Sequence, residues 1–213
     1  MELAEEYRLS VYQDLGKLAD KEQVHIVRNE VTGQICVRKC VALELADIYE
    51  FLQANQSPYL PVIYECIKRE TDLVVIEEYL TGKTLGDWLG NHTFSEGEVT
   101  GIGIDLCRAM MPLHRADPPI ICRDLKPENV IVTLEGQLKV IDFDIARTYQ
   151  PGQSKDGNAG VCSAGAVWLW ADGCANGHIR NRCASQLSAD KTVSGGGNRA
   201  GKTGRNYPLL HTD

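Results

Sequence analysis

Ten consecutive residues, Ile120-Ile121-Cys122-Arg123-Asp124-Leu125-Lys126-Pro127-Glu128-Asn129, followed by Ile141-Asp142-Phe143-Asp144, constrain this chain more than any other feature. They supply a carboxylate (Asp124), a cation (Lys126) and two oxygen ligands of the hard kind that magnesium takes (Asn129 and Asp142). An apolar run from Val130 to Val132, a turn at Gly136 and a second run from Leu138 to Ile141 predict a hairpin that carries Asn129 and Asp142 to one edge.

The run from Arg123 to Asn129 resembles the catalytic loop of the protein kinase family, and Asp142-Phe143 resembles that family's magnesium-binding motif. A lysine two residues after the aspartate is the serine/threonine-type variant, as in the bacterial-type kinases. Two positions depart from the pattern: Cys122 stands where histidine is usual, and Asp144 where glycine is usual. The resemblance implies an α+β fold, with an antiparallel β N-lobe followed by an incomplete helical C-lobe. It also implies ATP-dependent phosphorylation of Ser/Thr hydroxyls on a protein substrate, with ATP and Mg2+ as cofactors. In that reading Asp124 orients the hydroxyl, Lys126 neutralises the transferring phosphate, and Asn129 and Asp142 hold magnesium. Arg123 would pair with a phosphorylated segment.

Earlier in the chain, Val24 to Val27, the turn Asn29 to Gly33 and the run Ile35 to Lys39 predict another hairpin. By the resemblance these are the second and third strands, Val24 borders the nucleotide and Lys39 holds its phosphates. The glycine-rich phosphate loop expected just before Val24 is replaced by Lys17-Leu18-Ala19-Asp20-Lys21-Glu22-Gln23, which lacks glycines that would let backbone amides approach an anion. Residues 41–55 show helical periodicity through Leu43, Leu45, Ile48 and Leu52. Glu44, Asp47 and Glu50 compete to grip Lys39 from that helix, and Asp47 is the preferred partner. Val62 to Ile67 and Leu73 to Ile76 form the next predicted hairpin. Glu78 to Leu80 would then present backbone groups to adenine, with Glu78 and Leu80 as the contacts. Glu77 falls where an apolar residue is usual; a buried carboxylate there must be paired or protonated, and Lys39 is available if Asp47 does not reach it. Ser95 and Glu98 have capping-box spacing, and Val99, Ile102, Leu106, Met110 and Leu113 continue a long helix to His114.

Composition changes after Asp156. Residues 157–213 hold no Glu, three Asp, six Lys or Arg, and ten of the chain's twenty glycines. Three spans follow: 1–80 as N-lobe, 81–156 as the start of the C-lobe, and 157–213 as an aberrant tail expected to be disordered. Codons for Cys162 to Trp168 can be chosen that, read from the second base, give Ala-Pro-Pro-Glu-Gln-Tyr. Those for Gly177 to Arg182 similarly give Asp-Ile-Tyr-Ala-Ile. Both resemble later kinase motifs in order, which points to out-of-frame translation from near Gly157. Two other readings stay open: a nucleotide-binding pseudokinase scaffold and an inactive fragment.

A net charge of -7 argues against a nucleic-acid partner, whose phosphates require clustered Lys and Arg. No apolar run reaches membrane-spanning length, and Met1 to Ser10 lacks the features of a signal peptide. A cytoplasmic location is expected, with the eight cysteines as reduced thiols.

Overall fold

Alternating side chains of the N-terminal half divide between two faces of one sheet, and that division organises the molecule. A computed structural model describes residues 3–18, 23–90 and 92–149. Helix α1 (Leu3–Ser10) leads into β1 (Tyr12–Lys17), β2 (Val24–Asn29), β3 (Ile35–Ala42), α2 (Ala46–Ala54), β4 (Ile63–Lys68) and β5 (Asp72–Glu78). The five strands form an antiparallel sheet in the order β1-β2-β3-β5-β4. Val41, Leu73 and Val75 turn to the face that packs with Leu45, Ile48, Tyr49 and Leu52 of the α2 region. Cys36, Val74 and Ile76 turn to the other face, where Tyr12, Val27 and Ile67 complete a smaller core. Each fully buried Leu, Ile or Val contributes about 1.5–3 kcal/mol, so both faces stabilise the sheet.

The β2–β3 turn closes as its sequence predicts. Asn29 Oδ1 accepts from the Val31 and Thr32 N–H groups, and Gly33, at φ 74°, donates to the Asn29 carbonyl at 2.7 Å. Two elements run ahead of the expected first hairpin, α1 and β1. β1 has a single buried residue, Tyr12, and otherwise lies exposed along the sheet edge, so no period-two pattern announces it.

After β5 the chain forms β6 (Gly82–Thr84), α3 (Leu85–Leu89), α4 (Glu96–His114), β7 (Ile120–Ile121), β8 (Val130–Thr133), β9 (Leu138–Val140) and β10 (Arg147–Thr148). α4 carries the predicted capping box: Ser95 Oγ accepts from the Glu98 N–H, and the Glu98 carboxylate accepts from the Ser95 N–H. Its apolar stripe, from Ile102 through Leu113, joins the main core beneath β7, β8 and β9. Strand β6 pairs with β8, and the contact is close: a Cβ on Gly82 would collide with the Val132 carbonyl oxygen. The tail expected over 157–213, and Ala19 to Glu22 of the loop before Val24, lie outside the described residues.

Candidate active site

The hairpin β8–β9 sets the geometry of the first group of residues. Gly136, at φ 72°, makes the turn, and the Ile141 N–H donates to the Asn129 carbonyl at 2.9 Å, so the residues flanking the hairpin lie side by side. A short 3-10 turn, Pro127–Asn129, begins on a proline, whose fixed φ suits that position. It buries Asn129 and aims its amide back at Asp124. Asn129 Nδ2 donates to Asp124 Oδ2 at 2.8 Å and to the Asp124 carbonyl at 3.0 Å. Lys126 Nζ donates to the same Oδ2 at 2.6 Å. The hydrogen bond to Asp124, with the nearby charge of Asp142, holds the exposed Lys126 ammonium above its usual pKa. Asp142 sits at φ 69° without being glycine, a left-handed conformation that costs on the order of 1 kcal/mol and marks a position under constraint.

A second group lies on the sheet. Lys39 of β3 is 5% exposed, and its ammonium lies 3.1 Å from Glu77 of β5 and 3.8 Å from Asp144. The ammonium also sits 4.9 Å above the ring of Tyr49, and the Tyr49 hydroxyl donates to Asp144 Oδ1 at 2.8 Å. Burial works against a charged Lys39, but Glu77 first and then Tyr49 and Asp144 more than offset it, and the lysine stays protonated. Burial raises the Glu77 carboxyl above its ordinary range, and Lys39 opposes that rise. Asp142 and Asp144 both act on Glu77, which puts the two groups of residues within electrostatic reach of one another.

The expected partner of Lys39 is therefore corrected. Asp47 is exposed on α2, while Tyr49 of the same helix is fully buried and meets the lysine. Residues two apart on a helix point about 200° apart, so a helix that turns Tyr49 inward turns Asp47 to solvent. Glu44 is exposed as well, and Glu50 pairs with Lys68 at 2.7 Å. Tyr49 and Asp144 were not anticipated as neighbours of Lys39. The available signal was a tyrosine within an apolar helical stripe, whose hydroxyl needs a partner once buried.

Val24 and Leu80 are half-buried; Val24 lies directly across β2–β3 from Lys39. The side chain of Glu78 is engaged elsewhere: it accepts from the Val62 N–H at 3.0 Å and from Lys139 Nζ at 2.6 Å. Its own N–H donates to the Val62 carbonyl at 2.9 Å.

The donor chemistry fits a magnesium nucleotide. With its Nδ2 turned to Asp124, the Asn129 amide has Oδ1 as the atom that would ligate a metal, and Asp142 would contribute a carboxylate. Among the described residues no three His, Cys, Asp or Glu side chains gather into a complete metal cage. Two ligands suit an ion that takes its others from phosphate and water.

A sheet-dominated first lobe, a helix-backed second lobe and a carboxylate-lysine-asparagine network between hairpin and loop define a phosphotransferase type of fold. Residues 20–164 match the protein kinase domain family, and the chain belongs to that family. It is 34% identical over 94 residues to a probable serine/threonine-protein kinase, mkcF, of Dictyostelium discoideum, covering 43% of this chain and 14% of that protein. It is 29% identical over 132 residues to the mitogen-activated protein kinase kinase SIPKK of Nicotiana tabacum, covering 58% of this chain and 37% of the relative. A probable serine/threonine-protein kinase of Clostridium perfringens is 41% identical over 75 residues, or 35% of this chain and 11% of the relative. The chain thus spans well under half the length of these relatives.

Proposed function

We propose that this chain carries the phosphoryl-transfer centre of a serine/threonine protein kinase, acting on a protein substrate in the cytoplasm with no nucleic-acid partner. The observation that carries the reading is the convergence of Lys126 and Asn129 on one oxygen of Asp124, beside Asp142. Asp124 orients the attacking hydroxyl and accepts its proton as the new oxygen–phosphorus bond forms and the bond to the β-phosphate oxygen breaks. Lys126 offsets the negative charge that gathers on the transferring group, and its present bond to Asp124 keeps it over the same spot. Asn129 Oδ1 and the Asp142 carboxylate would hold magnesium, and Lys39 would face the nucleotide's phosphates. When bound, magnesium-ATP supplies the phosphoryl group and the metal's neutralising charge. Val24, Leu80 and the carbonyl of Glu78 would border the base. The division at 80/81 separates the lobe that carries Lys39 from the lobe that carries Asp124.

Transfer of labelled γ-phosphate to serine- and threonine-containing peptides tests this, with Asp124→Asn as the control. Loss of general-base positioning should lower the rate by about 100-fold or more with binding retained. Transfer that continues unchanged in Asp124→Asn would overturn the assignment.

A second reading has its own observation. Lys39 already has two carboxylates, Glu77 and Asp144, within 4 Å, and the loop before Val24 lacks phosphate-binding glycines. These features favour a nucleotide-binding scaffold. Magnesium-dependent ATP binding with no transfer to any peptide would select it.

A further inference from the structure

Lys39 and Glu77 belong to neighbouring strands of one sheet. Lys39 stands directly opposite Val75, and Glu77 is two residues further along β5, opposite Val37. Diagonal neighbours of this kind share a face and lie about 7–8 Å apart at the backbone, within reach of a lysine and a glutamate. Their ion pair at 3.1 Å closes inside the sheet, with side chains 6% and 13% exposed. No helix is needed to bring the partners together. From α2 the lysine receives Tyr49, a neutral ring and hydroxyl, and no carboxylate. Asp144, the remaining acid, is further away at 3.8 Å and its side chain is 44% exposed, against 13% for Glu77. Asp47 faces solvent.

We propose that Glu77 is the positioning residue for Lys39, so that the lysine is set in its working orientation by the sheet itself and independently of how α2 is placed. The choice of Lys39 as the phosphate-facing group rests on the kinase reading; the assignment of its partner rests on the geometry alone. An ammonium locked in a buried pair is shielded from acylating reagents, and one released from its pair is not. This gives a readout that does not depend on activity.

The full chain is labelled with an amine-reactive succinimidyl ester, and modification of Lys39 is followed by mass spectrometry in the parent, Glu77→Gln and Asp47→Asn forms, alongside magnesium-ATP binding by calorimetry. Lys39 should be slow to react in the parent and in Asp47→Asn, and about tenfold faster in Glu77→Gln, with weakened nucleotide binding only in the last. Asp47→Asn is a surface change that leaves the core untouched, so a Lys39 that it unmasks counts against the proposal even if Glu77→Gln fails to fold. A Lys39 unmasked by Asp47→Asn would overturn the proposal, as would a folded Glu77→Gln with Lys39 still protected. If the parent binds no nucleotide yet the labelling pattern holds, the kinase reading fails and the positioning role stands.

Discussion

Among the described residues two lysines are buried, and consecutive glutamates of β5 answer them: Glu77 pairs with Lys39, and Glu78 with Lys139. Lys139 also donates to the Leu60 carbonyl at 3.2 Å. Removing one member of such a pair leaves the other desolvated and alone, whereas removing both removes the problem with the benefit. Lys139→Met should therefore destabilise by about 1–3 kcal/mol, and the double variant with Glu78→Gln should recover part of that loss. Urea unfolding of the four proteins measures the coupling; additive losses would show that the two side chains act separately. The contrast between residues bears on what could be read in advance. Asp124, Lys126 and Asn129 fall within six residues, so local chain geometry alone brings them together, and their order in the sequence is nearly their arrangement in space. The acid that partners Lys39 is set by strand register, and the phase of α2 decides only that Tyr49, not an acid, faces the lysine from that helix. Without that phase, ranking three acids over residues 41–55 puts Asp47 first, although Glu77 is recognisable in the sequence as a carboxylate in need of a cation.

At the scale of elements, α4 shows which predictions are robust. A capping box and an apolar stripe are both local patterns, and the helix they predict forms over Glu96–His114. The Ser95 hydroxyl and backbone N–H hold the Glu98 carboxyl below its ordinary value of 4.5. A carboxyl lowered on folding adds stability above that ordinary value, and the contribution is lost as pH falls through the lowered one. Ser95→Ala should cost about 1 kcal/mol at neutral pH, and the gap between the two proteins should narrow once the pH falls below 4.5 and Glu98 protonates. Unfolding curves above and below that pH check this; a gap of equal size in each would mean the charge on Glu98 plays no part in the cap. The edge strand β1 was illegible for the opposite reason. Its residues serve the sheet through backbone pairing with β2 and through one anchor, Tyr12, whose hydroxyl bonds Glu65 at 2.8 Å. Pairing of backbone groups leaves little trace in side-chain pattern.

For the whole molecule, the family match ends at residue 164, and the shift in composition begins near 157. We propose that the coding DNA beyond Asp156, read one base out of step, continues the kinase sequence through Ala-Pro-Pro-Glu-Gln-Tyr and Asp-Ile-Tyr-Ala-Ile. Sequencing that DNA decides it: shifted codons that spell no such segments refute the frameshift. Among the described residues, no helix is long and apolar enough to cross a membrane. The two lobes meet where β9 reaches back to the first. Val140 donates to the Tyr59 carbonyl at 2.9 Å, one residue from where Lys139 grips Leu60 and Glu78. Because β9 is the return strand of the hairpin whose flanks carry Asn129 and Asp142, these three bonds moor that hairpin to the loop before β4 and to the end of β5, the strand that also holds Glu77 against Lys39.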